Sequence, residues 1–93
     1  MDEHIARRIQ AASERAAEAA ERTARAHEAA ADAHERHAEV AERIGANLED
    51  AHRAREQAQR TRQNANIDRT VAEGERRIAD RARGDRSEPD ADP

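Results

Sequence analysis

From Ile5 to Ile44 the chain repeats one pattern every seven residues. Ser13-Glu14-Arg15, Ala20-Glu21-Arg22, His27-Glu28-Ala29, His34-Glu35-Arg36 and Ala41-Glu42-Arg43 fall in step. Written as heptads, the a positions are Ile9, Ala16, Thr23, Ala30, His37 and Ile44. The d positions are Ile5, Ala12, Ala19, Ala26, Ala33 and Val40. Glu fills every f position from Glu14 to Glu42, and Arg fills the g positions apart from Ala29. This layout predicts one helix over about 2–44, with a small-residue seam and a charged outer face. Glu18/Arg22, Glu21/Arg25, Asp32/Arg36 and Glu39/Arg43 stand four apart in the order that supports a helix.

Ile44-Gly45-Ala46-Asn47 ends the pattern. Gly45 can adopt the left-handed conformation that closes a helix, and Asn47 can cap the next one, with Glu49 and Asp50 in its first turn. A turn at 45–47 joins antiparallel neighbours. The second arm carries two stripes that disagree in phase. Ala51, Ala54, Ala58, Thr61 and Ala65 follow a 3–4 spacing, whereas Ile67, Val71 and Ile78 lie about 180° around from Ala58. The weak helix formers Thr61 to Asn66 lie between them, so the expectation is helix over about 48–62, a break at 63–66 and helix over about 67–83. Gly84 is expected to stop it, and 85–93, with two prolines and several acids, to be a disordered tail.

The fold class expected is therefore all-α. It is a long antiparallel helical hairpin over 1–84, coiled-coil-like, with an alanine seam and a kinked second arm. Folding about residue 46 makes facing residue numbers add to roughly 92. Val40, Ile44 and Leu48 then cluster at the turn, and Ile5, Ile9 and Ile78 meet at the open end. The expected interaction seam comprises Ile5, Ile9, Ala16, Ala30, His37, Val40, Ile44, Leu48, Val71 and Ile78. Ala17, Ala24, Ala31 and Ala38, at b positions, fall beside it.

Composition narrows the function. The 93 residues include 24 alanines and only nine larger aliphatic side chains, with no aromatic residue, cysteine or lysine. That is too little bulk for a globular core, and the absence of cysteine excludes a disulfide frame or a thiolate nucleophile. No run is apolar enough to cross a membrane, and Met1-Asp2-Glu3-His4 is unlike a secretory leader, so a cytoplasmic protein without a membrane partner is expected. Charge is dense but balanced, 17 basic against 21 acidic residues, net −4. The first arm is net acidic and the stretch 48–83 net basic, which suits a chain folding back on itself.

Candidate chemistry is sparse. His34-x-x-His37 has metal-ligand spacing, but a competent site needs a third ligand, and neither Asp32 nor Glu35 shares that bite. His27 lies about 10.5 Å along the axis from His34. His37, at an a position, is a candidate for a pH-sensitive polar group in the seam. Arg53, Arg55, Arg60 and Arg62 form the most basic stretch, and basic runs can hold nucleic-acid phosphates. They fall on two faces with no aromatic residue to stack a base, so pairing with the acidic first arm is the better account. Ser13 and Ser87 have no base beside them in sequence, no glycine-rich phosphate loop occurs, and no cofactor is implied. An enzyme is not expected.

Ala26-His27-Glu28-Ala29-Ala30, echoed by Ala33-His34-Glu35-Arg36-His37, resembles the short Ala/Arg/Glu/His-rich helical proteins of high-GC actinobacteria, as does basic content made only of arginine. The resemblance covers the first half, is compositional, and implies a helical fold without a mechanism. The hairpin length and turn glycine are also similar to small secreted helical hairpins carrying Trp-x-Gly. Here that place reads Arg43-Ile44-Gly45, and no Tyr-x-x-x-Asp/Glu signal follows. The function expected is a non-enzymatic helical interaction or scaffolding module, self-associating or pairing with another helical protein. The alternative is a small regulatory protein binding nucleic acid, or a nucleic-acid enzyme, through the arginines at 53–62.

Overall fold

A computed structural model describes residues 2–45 and 47–87, the last three without their side chains. The protein is an all-α helical hairpin of two helices, α1 (Glu3–Arg43) and α2 (Leu48–Ser87), with no strand among the described residues. Asp2 caps α1, its Oδ1 accepting from the His4 N–H at 2.9 Å, with Glu3 favourably placed in the first turn. At the other end Gly45 takes φ +68°, as its role in closing the helix requires, and its N–H donates to the Glu42 carbonyl. Asn47 then caps α2: its Oδ1 accepts from the Glu49 N–H at 2.9 Å and its carbonyl from Asp50. The expected turn and both its signals are in place; Ala46 lies outside the described residues.

The second arm differs from expectation. α2 runs without interruption through 63–66, so the kink is absent. Gly84 does not stop it either, and the helix reaches Ser87. Within a helix glycine costs only about 1 kcal/mol relative to alanine, which neighbouring turns absorb. The remainder of the expected tail, 88–93, lies outside the described residues. The phase conflict that suggested a break is resolved another way. Ala51, Ala58, Ala65, Ala72 and Ala79, one every seven residues, are all buried, while Ile67, Val71 and Ile78 stay 61%, 50% and 41% exposed.

Contacts divide the chain into two units, Met1–Glu21 with Arg69–Pro93, and Arg22–Asp68. In the first, the buried side chains are Ala6, Ser13 and Ala17 on α1, with Ala72, Ala79 and Ala82 on α2. In the second they are Ala24, Ala31, Ala38 and Ala41, with Ala51, Ala54, Ala58 and Ala65. Ala38, Ala41, Ala51 and Ala54 pack as one cluster beside the turn. Both interiors are thus built from methyl groups, and small side chains at the contact let helix backbones approach closely.

This seam is not the expected one. Ala17, Ala24, Ala31 and Ala38 are b positions, and Ala6, Ser13 and Ala41 are e positions. The packed stripe is the a/d stripe moved one residue along, or about 100° around the helix. Ala16, Ala30 and His37 are exposed, Ile9 is half-buried, and Ile5 and Val40 are each 48% exposed. Ile44 and Leu48, at 70% and 69% exposed, form no cluster at the turn. Register is shifted as well. Cross-helix ion-pair partners add to 97 at Arg55–Glu42, Arg62–Glu35, Arg76–Glu21 and Arg83–Glu14, not to 92.

Candidate interaction face

Each unit has two unlike long edges. One is an ion-pair ladder. In the first unit Arg83 donates to Glu14 at 3.1 Å and Arg76 meets Glu21 at 2.5 Å. Gln10 donates to the same Glu14 oxygen at 2.9 Å, holding that carboxylate in place. In the second unit Arg62 grips Glu35 with both nitrogens, at 2.6 and 3.0 Å, and reaches Asp32 at 3.1 Å. Arg55 forks onto Glu42 at 2.7 and 2.8 Å. His27 Nδ1 lies 2.8 Å from Asp68 Oδ2, a cross-helix pair that closes the seam where His27 occupies an e position. Such fork geometry fixes relative position as well as attraction.

The charge states follow from these contacts. The hydrogen bond from Arg62 is the main reason the Glu35 carboxyl sits below its ordinary range. Arg62, Arg55 and Arg76 are each raised above the ordinary guanidinium range, chiefly by their hydrogen bonds to Glu35, Glu42 and Glu21. All of these groups remain open to water, so each pair contributes little to stability by itself. The ladder's effect is on register: a slip of one turn would break all its rungs together. Glu21 and Asp32, expected to support α1 from within, instead reach across to α2.

The other edge is apolar and uncovered. It carries the a and d positions of α1: in the first unit Ile5, Ile9, Ala12, Ala16 and Ala19, in the second Ala26, Ala30, Ala33, His37, Val40 and Ile44. Among these only Ile9 is half-buried; the rest are exposed. The residues expected to form the interaction seam are therefore on the surface, and none forms the contact between the two helices. In the second unit the edge turns polar beside α2. Ala33, His34 and His37 share a shallow cleft with Asp50, Arg53, Ala54 and Gln57, and Arg53 pairs with Asp50 at 2.7 Å. His37 is exposed there and is not packed in a seam, which removes the basis for a buried pH-sensitive group. Among the described residues no group of three or more His, Asp or Glu side chains is placed to hold a metal ion, His34 and His37 included.

Of the four arginines at 53–62, Arg55 and Arg62 serve the ladder and Arg53 is held by Asp50, while Arg60 is exposed. Arg76 and Arg83, which complete the ladder, were not singled out from sequence. Their signal was present: Arg55, Arg62, Arg69, Arg76 and Arg83 recur every seven residues, as Glu14, Glu21, Glu28, Glu35 and Glu42 do.

What fold and faces define is a helical hairpin with an alanine interior, a charged ladder on one edge and an uncovered aliphatic face on the other. No family model, curated protein or solved structure matches the chain. No helix among the described residues is long and apolar enough to cross a membrane.

Proposed function

We propose that the chain is a non-enzymatic helical interaction or scaffolding module that pairs with a further helix through its uncovered a/d face. One observation carries this reading. The large aliphatic side chains are excluded from the interior and displayed, with Ile5, Val40, Ile44, Leu48, Ile67, Val71 and Ile78 between 41% and 70% exposed. A chain with so few large apolar residues gains little by leaving them in water, and aligned apolar surface marks an interaction site. Seven-residue spacing suits an α-helix as the occupant.

Sedimentation velocity tests it on the chain alone from micromolar to millimolar concentration. A second series adds a synthetic helical peptide with Ala at a, Leu at d and Gln at the flanks. Association in either series, lost in the double variant Ile9→Gln, Ile78→Gln while its melting is unchanged, supports the module. A monomer throughout, deaf to the peptide, refutes it. Binding to duplex DNA or RNA that falls steeply with added salt would instead favour a nucleic-acid partner; the use of Arg55 and Arg62 within the hairpin weighs against that outcome.

A further inference from the structure

The apolar edge of the first unit is more specific than a bare hydrophobic strip. Val71 and Ile78 on α2 continue the seven-residue series of Gln57 and Asn64. Ile5 and Ile9 on α1 continue those of Ala33 and His37. Since Ala33, His37 and Gln57 line one cleft, and the ladder keeps the same register at Arg76 and Arg83, these phases put the four aliphatics on one side of their unit. Gly74 falls between Val71 and Ile78, leaving a notch that only the Arg77 guanidinium approaches, 3.8 Å from where a Cβ would stand.

The border of this patch carries one sign of charge. Arg8 and Arg15 line the same hollow as Ile5, Ile9 and Ala12 on the α1 side. On the α2 side Arg77 and Arg81 flank Val71, Gly74 and Ile78. All four are exposed, and among the described residues none is ion-paired, whereas nearby Arg76 and Arg83 are met by Glu21 and Glu14. The unit's carboxylates at Glu14 and Glu21 are committed to the opposite edge. A patch of four aliphatics ringed by four unpaired guanidinium groups is complementary to an apolar stripe bordered by carboxylates.

We infer that this face of the first unit takes an amphipathic α-helix from a different chain, its apolar stripe flanked by Asp or Glu. This rests on the interaction-module reading and adds the chemistry of the partner. A second copy of this chain is the wrong occupant: set face to face, it brings arginine borders against arginine borders, a like-charge juxtaposition that disfavours pairing. An anionic lipid surface shares the charge but not the shape. Helices that lie in a bilayer interface present Trp, Phe or Leu to it, and this face offers alanine, two isoleucines of α1, a valine and one isoleucine of α2.

The test uses the full chain and three probes at low and high salt: the Gln-flanked peptide above, a twin with Glu at the flanks, and one with Lys. Anisotropy titrations are expected to show the Glu peptide binding about tenfold tighter than the Lys peptide. The difference should shrink in high salt. The double variant Arg8→Glu, Arg15→Glu, two exposed positions outside the packed seam, should reverse the order while its melting stays unchanged. Arg8→Lys, Arg15→Lys should retain the original order. Equal binding of the three peptides overturns the acidic-partner inference and leaves the interaction module standing. No binding of any peptide, with the chain monomeric, removes both. Vesicles of mixed neutral and anionic phospholipid that bind the chain in preference to the Glu peptide, or a homodimer that forms through Ile9 and Ile78, also overturn it.

Discussion

Ala30 and Ala31 are adjacent, both helical and both alanine, yet one faces water and the other is fully buried. Replacing each with leucine separates the two possible seams. At Ala31 the added isobutyl carbons must enter an interface built from alanine methyls, where the opposing helix offers no cavity. Overpacking of this kind costs about 1–3 kcal/mol. For a domain of this size that corresponds to a fall in Tm of roughly 5–20 °C. At Ala30 the same side chain extends into solvent, and leucine is nearly as good a helix former as alanine, so the change should stay within about 0.5 kcal/mol. Thermal unfolding followed by circular dichroism at 222 nm, the usual helix wavelength, reads both variants, and Ala65→Leu repeats the experiment from α2. Equal destabilisation at positions 30 and 31, or a neutral Ala31→Leu, would mean that the helices pack through the a/d stripe and would refute the b/e seam.

Three further outcomes are expected. Glu35 has its carboxyl lowered in the folded state, so the stability it contributes is present above the ordinary carboxylate value of 4.5 and is lost as pH falls through its lower folded value; melting scans from neutral to acid pH should show part of that loss removed by Glu35→Gln, and an unchanged acid limb would contradict the pairing with Arg62. Gly74→Ala should raise stability by about 0.5–1 kcal/mol, because its Cβ meets only a flexible guanidinium, whereas Gly45→Ala, at φ +68°, should lower it by about 1 kcal/mol; urea unfolding of the two checks the opposite signs. Amide exchange at 63–66 should be as slow as at 55–62, since α2 is continuous there, and fast exchange confined to those four residues would restore the break.

The seven-residue period and the turn were legible in the sequence, and the phase was not. Alanine occupies a, b, d and e positions alike, as at Ala16/Ala17, Ala19/Ala20 and Ala30/Ala31, so two neighbouring stripes fit an alanine seam equally well. Preference went to the stripe holding Ile5, Ile9, Val40 and Ile44 because large aliphatics are usually inside. Here that rule fails for a geometric reason: an interface narrow enough to bring alanine methyls into contact has no room for an isoleucine. The same assumption drew Ile67, Val71 and Ile78 toward the seam and created the apparent break. The discriminating signal was electrostatic. Glu at 14, 21, 28, 35 and 42 and Arg at 55, 62, 69, 76 and 83 are mirror-image series. Only a seam beside them, at b and e, lets such side chains meet. Read together, they give both the phase and the register of 97. The uncovered face followed from neither series, because it is defined by what the seam leaves out.

Folding and pairing therefore reside on different faces, and this separation has a thermodynamic consequence. The interior gains from helix propensity, small buried methyls and a ladder of exposed ion pairs, none of them strong individually. The displayed aliphatics contribute little until something covers them. A partner that binds only the folded hairpin stabilises it by mass action, in proportion to the logarithm of its concentration over its dissociation constant. Substitutions on the a/d face, such as Ile9→Gln with Ile78→Gln, should leave the free chain's melting almost untouched and abolish the rise that a helical partner produces. Substitutions in the seam, such as Ala31→Leu, should lower the melting of the free chain yet preserve that rise while the hairpin persists. Differential scanning fluorimetry with and without the Glu-flanked peptide distinguishes the two classes. If seam and face variants lost both properties together, one surface would be doing both jobs, and the division between an alanine interior and an aliphatic docking face would be untenable.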